Sequence, residues 1–337
     1  MIQKELSVII PLYNCEKYIS NALDSLLCQN VALEIIVVDD GSYDKGPDIV
    51  QQYMKKYDFI YLYKQKNKGP SSARNLGLKY ASGQYIYFMD ADDFLKTNTL
   101  GQAIDYLKSE QAQIASFRPI IIPEKDITKH LFQPCNNLFL SKKFSGIEYI
   151  EQSKALAGIT LIRHVISSDL IKKNNVKLND SLFLEEDYAF LFELLLNTSD
   201  IIVLEGDRPY HWVKRLSSSS NSINNRALHS YKALVLHYSK LLTDNRLLAS
   251  QKVRKYIIYR QTNAIQTYLL ALAKNYSIKD LKEAISYFKS INTYPFNGFT
   301  TLHLYRLWKL AGGLKAYVNY LVVNISTLLL LYKRIHG

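Results

Sequence analysis

The 337-residue chain holds only three cysteines, Cys15, Cys28 and Cys135. Three scattered thiols exclude a disulfide framework and a cysteine-rich metal cluster, and they fit a reducing compartment. A secretory leader is not expected either. The apolar run from Leu6 to Ile10 is short, stops at Pro11, and is followed by polar residues. No uninterrupted apolar run clearly reaches the ~20 residues of a membrane-crossing helix. No segment repeats at a fixed period. Acidic residues are in deficit, 30 Asp and Glu against 42 Lys and Arg, for a net charge of +12. A basic surface implies anionic company, whether nucleic acid, acidic lipid or phosphorylated substrates, and charge alone does not choose among them.

What is present is ample apolar material, 48% of the chain, and 26 tyrosines. The length predicts about two domains. Leu6 to Ile10 reads as a buried strand, and Ile19, Ala22, Leu23, Leu26 and Leu27 then recur at helical spacing. Glu34 to Val38 is a second buried strand, followed by a helix with Pro47 in its first turn. Phe59 to Tyr63 is a third strand. Ser71 or Ser72 suits the cap of the next helix, and Tyr85 to Met89 is a fourth strand. Alternating strands and helices, with strands apolar throughout, predict a parallel sheet covered by helices on both faces. In such sheets ligands bind at the carboxyl ends of the strands. Those ends carry Pro11 to Asn14, Asp39 to Ser42, and Asp90 to Asp92, so three polar clusters should share one edge. Ile120 to Leu161 reads as irregular strands, Asp187 to Leu196 as a helix, and Ile201 to Leu204 as a short strand. A boundary near Ser217 divides an α/β domain, 1–217, from a helical region, 218–337.

Asp90 and Asp92 follow a buried strand directly. On an extended chain they point to one side, a pair of hard oxygen donors suited to Mg²⁺ or Mn²⁺. The same residues also read as a turn, with Asp93 as a helix cap. Asp39 and Asp40 fit ordinary Asp-Gly-Ser turn chemistry, or a carboxylate accepting from a nucleobase or ribose. Tyr13 offers a ring to stack on a base. Asn67, Arg74 and Asn75 flank a helix start, with Arg74 a partner for phosphate or carboxylate, or simply a surface arginine. Glu185, Glu186 and Asp187 suit the first turn of a helix, with Asp187 a candidate general base. His211 sits beside Lys214 and Arg215 in a basic cluster suited to diphosphate.

Five segments in this order and spacing carry a resemblance: Ser7–Asn14, Glu34–Ser42, Gly69–Asn75, Tyr85–Asp93 and Glu186–Asp187. Over about residues 5–220 the chain resembles the family 2 glycosyltransferases of the GT-A fold, a Rossmann-like, mostly parallel sheet between helices. The resemblance implies an inverting transfer from a nucleotide-sugar donor, usually a UDP-sugar, to a saccharide or lipid-linked saccharide acceptor in cell-surface glycan synthesis. It places Pro11 and Tyr13 in the nucleotide pocket, Asp40 on the base, and Arg74 near base and phosphates, with Asn67 in the same pocket. Asp92 becomes the main ligand of Mn²⁺ or Mg²⁺, with Asp90 and the Ala91 backbone by the ribose, and Asp187 becomes the catalytic base. His211 and Arg215 fall where relatives often carry a different, tyrosine-rich motif. A catalytically inactive sugar-binding relative and a basic nucleic-acid-binding protein are the rival readings. Retention of Asp40, Asp92 and Asp187 opposes the first, and carboxylates clustered at strand ends oppose the second.

The resemblance leaves the C-terminal third unexplained. Ala316 to Tyr332 contains no charged residue and is flanked by Lys309, Lys315, Lys333 and Arg334. As a helix it would span ~25 Å, short of the ~30 Å hydrocarbon core. It reads either as a peripheral membrane contact at the cytoplasmic face of the cell membrane or as packing or homo-oligomer surface.

Overall fold

The structure, a computed structural model, describes residues 4–152, 159–182, 184–215, 225–247 and 250–275, with a few more between 283 and 290. The chain divides into two compact units, Met1–Ser222 and Ile223–Gly337. The boundary expected near Ser217 falls among residues 216–224, outside the described residues.

The first unit opens with β1 (Leu6–Leu12), α1 (Ile19–Leu27), β2 (Leu33–Asp39), α2 (Gly46–Met54), β3 (Ile60–Lys64), α3 (Pro70–Tyr80) and β4 (Tyr85–Phe88). It continues through β5 (Phe94–Leu95), α4 (Thr99–Ser109), β6 (Ile114–Ser116), β7 (Pro119–Pro123), α5 (Ile127–His130) and β8 (Leu138–Phe144). After α6 (Gly146–Gln152) come β9 (His164–Ser167), α7 (Ser168–Lys173), α8 (Glu186–Leu195), β10 (Ile201–Gly206) and β11 (Tyr210–Lys214).

Eight strands form one sheet in the order β3-β2-β1-β4-β9-β6-β10-β8. The four strands expected from sequence are its parallel half. Their apolar side chains point both ways because both faces are covered. Val8 and Ile10 of β1 join a core cluster with Ile19, Leu23 and Leu26 of α1. Ile9 points the other way, so close to α3 that a Cβ at Gly77 would stand 2.4 Å from its Cγ2. The sheet is less uniform than expected: β9 runs antiparallel between β4 and β6, and β8 is an antiparallel edge. Neither β6 nor β9, three and four residues long, carries enough periodicity to be read from sequence.

Ile120–Leu161, expected as irregular strands, holds β7 and β8 together with the helices α5 and α6. β7 does not join the main sheet. It builds a second, three-stranded sheet in the order β5-β11-β7. This small sheet was not anticipated, and it carries one wall of the site.

Register puts the polar strand ends on one edge. Leu12 pairs with Asp39, Asp39 with Lys64, and Ile9 with Phe88. Residues 13–14, 40–42 and 90–92 therefore emerge side by side, as the crossover rule requires. The α3 helix starts at Pro70 rather than behind a serine cap. Gly69 holds the cap position at φ 96°, a left-handed conformation that favours glycine, and Pro70 follows with its φ preset for a first turn.

In the second unit, α9 (Asn225–Leu242) and α10 (Gln251–Asn275) pack antiparallel. Their buried residues include Leu234, Tyr238 and Leu241 on one helix and Val253, Ile257 and Ile265 on the other. Gln261 Nε2 donates to Ser239 Oγ at 2.8 Å across the pair. Among the described residues no helix is long and apolar enough to cross a membrane. Ala316–Tyr332, read from sequence as a membrane or packing helix, lies outside the described residues.

Candidate active site

The turn after β2 is built by its own aspartates. Gly41 takes φ 79°, and Ser42 N donates to Asp39 Oδ1 at 2.8 Å. The buried Asp40 carboxylate accepts from Gln65 Nε2, Lys68 N and Gly69 N, each at 2.8 Å. Three of its roughly four lone-pair positions are thus used inside the protein. Asp40 anchors the loop that launches α3, and so sets the position of Arg74. Tyr13 is 42% exposed and stands edge-on to Tyr43 at 6.5 Å. Asn67 is exposed in the loop that Asp40 holds, and Pro11 is half-buried at the end of β1.

Arg74 rises from the first turns of α3 into the cleft, with only 8% of its side chain exposed. Its Nη2 meets Asp90 Oδ1 at 2.8 Å and its Nη1 meets Glu186 Oε1 at 3.3 Å. One guanidinium therefore ties the end of β4 to the start of α8. Glu186 and Asp187 lie in the first turn of α8, where the helix dipole favours negative charge. Tyr188 N donates to Asp187 Oδ1 at 2.7 Å. Burial, then the neighbouring Asp187, push the Glu186 carboxyl up to about 7, against the opposing pull of Arg74. Burial also raises Asp187, and Arg74 again opposes it. Glu186 was legible from sequence only as the first half of an acidic pair. Its role as partner of Arg74, 112 positions away, has no local signal.

Asp92 is held differently. The guanidinium of Arg215, just beyond β11, forms an ion pair with its carboxylate. Arg215 Cζ also lies 5.1 Å from the centre of the Tyr18 ring, and Tyr18 donates to Glu124 Oε1 at 2.5 Å. Burial, then the charge of Asp90, raise Asp92 to about 6, with Arg215 pulling the other way. Ala91 is buried between the two aspartates.

Two sequence expectations are corrected here. Asp93 is not a helix cap, because β5 follows it and α4 begins only at Thr99. Its carboxylate accepts from Tyr210 OH at 2.5 Å and Val213 N at 2.8 Å, pinning the second sheet to the end of β4. His211 does not supply a cation. Alternation along β11 turns Trp212 and Lys214 outward and His211 into the core. There it stacks on Phe94 at 4.7 Å, and burial lowers it to about 4. Of the expected basic cluster, Arg215 reaches the acidic site.

Asp90 and Asp92 supply two carboxylates, and among the described residues no group of three or more His, Cys, Asp or Glu forms a protein-only cage. That donor set suits Mg²⁺ or Mn²⁺, which take one or two carboxylates and complete their shell with phosphate oxygens and water. Burial and then the charge of Asp90 raise Asp92, and the second of these is what a divalent cation would relieve. The residues fit such an ion.

A parallel-type α/β sheet whose strand ends gather aspartates, arginines and an acidic helix start defines a GT-A-type domain. Residues 7–167 match the family described as Glycosyl transferase family 2. The minor teichoic acid biosynthesis protein GgaB of Bacillus subtilis is 30% identical over 288 residues, covering 83% of this chain and 30% of that protein. The chain thus spans less than a third of that relative's length. Among solved structures, Staphylococcus aureus TarS 1-349 in complex with UDP aligns with TM-score 0.67 at 21% identity, covering 94% of this chain and 89% of the other. The mannosyltransferase PcManGT of Pyrobaculum calidifontis, in complex with GDP-Man and Mn²⁺, aligns with TM-score 0.54 at 17% identity, covering 96% and 88%. These likenesses establish the GT-A fold.

Proposed function

We propose that the chain transfers a hexosyl or N-acetylhexosaminyl group from a UDP-sugar to a hydroxyl of a saccharide acceptor, with inversion, in the synthesis of a cell-surface glycan. One observation carries this reading: Arg74 joins Asp90 at the strand end to Glu186 beside Asp187, so metal-type and base-type carboxylates line one cleft. The UDP assignment draws on TarS, solved with UDP, and the surface-glycan assignment on the name of GgaB. Residues 1–217 would form the catalytic domain and 218–337 a helical domain that approaches a lipid-linked acceptor.

The nucleobase would rest against Tyr13 and Pro11, beside Asn67 and the loop that Asp40 anchors. Asp187 takes the proton from the acceptor hydroxyl as that oxygen bonds to the anomeric carbon. The bond from that carbon to the diphosphate oxygen breaks at the same time, and its electron pair leaves with the nucleoside diphosphate. Arg74 and Arg215 place positive charge near the departing group. A divalent cation held by Asp92 and Asp90 would supply further charge to the leaving diphosphate.

The test is a thermal-shift screen of UDP-sugars with and without Mn²⁺, followed by transfer assays. A donor should raise Tm by mass action in the presence of Mn²⁺. Asp92→Asn should keep the fold while losing both the metal-dependent shift and transfer. Wild-type turnover by that folded variant, or no shift with any nucleotide sugar, would overturn the proposal.

A further inference from the structure

Arg215 and a divalent cation need the same carboxylate. Arg215 forms its ion pair with Asp92 Oδ2, and the two side chains are 19% and 17% exposed, so little water screens the contact. The guanidinium is also held from its other side. Its Cζ lies over the Tyr18 ring, and Tyr18 is itself fixed by Glu124. The backbone around it is pinned as well, since Asp93 accepts from Val213 N and Tyr210 OH. Asp93 thereby anchors both members of the pair: it follows Asp92 directly, and it holds Val213, two residues before Arg215. Among the described residues the buried Arg215 Nε has no acceptor. Arg215 therefore sits against Asp92 with one N–H unused among the described residues and with its charge over the Tyr18 ring.

We infer that Arg215 is a built-in counter-ion that occupies the Asp92 carboxylate against the metal and yields it when the donor's diphosphate offers Arg215 a replacement anion. The inference rests on the reading of Asp92 as a metal ligand and goes beyond it by setting the order of events. Two cations cannot share one partly buried carboxylate without repulsion, so the metal alone binds weakly. A diphosphate removes the competition by accepting hydrogen bonds from Arg215, bidentate and charge-assisted, while it also offers oxygens to the metal. Donor and metal then enter together, and each raises the affinity of the other by the same factor, as linkage requires. Arg215 acts on the metal through Asp92 and is a positioning residue for it. Its effect should keep the acidic pair from loading divalent cations before a sugar donor is in place.

The experiment measures Mn²⁺ affinity by the loss of the free-ion electron paramagnetic resonance signal, using the full chain and no nucleotide. Arg215→Gln removes the competing charge but keeps a polar side chain, and it should bind Mn²⁺ about tenfold more tightly than wild type. Arg215→Lys keeps the charge and should stay near wild type. Repeating the titration with saturating UDP should tighten binding strongly in wild type and by a smaller factor in Arg215→Gln. Unchanged or weaker nucleotide-free Mn²⁺ binding in Arg215→Gln, with a wild-type circular dichroism spectrum and melting profile, overturns the inference. If Arg215→Gln melts differently, Arg215→Met serves as the second variant, because it keeps an extended side chain over the Tyr18 ring and removes the charge. It should show the same roughly tenfold gain in nucleotide-free Mn²⁺ binding, and unchanged or weaker binding there overturns the inference. If wild type with UDP binds no Mn²⁺ at all, the underlying reading of Asp92 fails instead.

Discussion

Arg74 and Glu186 meet at 3.3 Å across 112 residues of sequence, and the same guanidinium grips Asp90 at 2.8 Å. The contact closes the cleft between the end of β4 and the start of α8. It also explains why three carboxylates, Asp90, Glu186 and Asp187, can lie near one another without forcing the fold apart. Burial disfavours the charge of Glu186 and Asp187, and the buried Arg74 offsets it.

Replacing Arg74 with methionine should therefore destabilise the protein and silence it. Breaking one side of a fully buried pair costs about 3–5 kcal/mol. The Asp90 side chain is 36% exposed, so the expected loss is about 2–3 kcal/mol, read from urea denaturation. A shift below ~0.5 kcal/mol would mean the carboxylates simply protonate and the arginine is structurally idle.

Asp187→Asn should leave UDP affinity close to wild type and lower kcat by roughly 10² to 10⁴-fold, the usual contribution of a general base. Isothermal titration with UDP and steady-state transfer assays separate the two effects. A collapse of donor affinity at unchanged kcat would make Asp187 a binding residue and move the base elsewhere.

Acid should weaken the fold through His164. Its ring is fully buried, its Nδ1 bonds to Thr160 O at 2.6 Å and its Nε2 to Tyr149 OH at 2.8 Å. Burial, then the charge of Arg163, lower it from 6.5 to about 3. The unfolded chain thus binds a proton that the folded chain refuses. Its stability contribution is complete above pH ~6.5 and drains away as pH falls toward 3, about 2–3 kcal/mol by pH 4.5. His164→Asn should be less stable at pH 7.5 yet show a shallower acid limb in denaturant titrations. An acid limb identical to wild type would show that other groups drive the loss.

Gly77→Ala tests the contact between α3 and the sheet. Alanine favours an exposed helix interior by up to about 1 kcal/mol over glycine, but here its Cβ would meet the buried Ile9 Cγ2 at 2.4 Å. Overpacking should win, for a net loss of about 1–3 kcal/mol. Combined with Ile9→Ala, the loss should be smaller than the sum of the two single changes, because the clash is gone. Strict additivity would show that the helix shifts instead.

The sequence by itself determined the parallel half of the sheet and the edge on which its polar residues emerge. Continuous apolar runs such as Leu6–Ile10 and Glu34–Val38 admit few other structures, and right-handed crossovers align their ends. It also supplied the acidic pairs at 90–92 and 186–187, because both follow or open strongly patterned elements. Tertiary structure decided which of these residues meet. The Arg74–Glu186 and Arg215–Asp92 pairs join segments 112 and 123 positions apart, and no periodicity encodes such distances. It also decided that Asp93 pins a second sheet, that Asp40 anchors a loop, and that His211 is buried and neutral. β5, β7 and β11 are too short to announce their pairing, and charge at a histidine depends on the packing around it, which exists only once distant strands have come together.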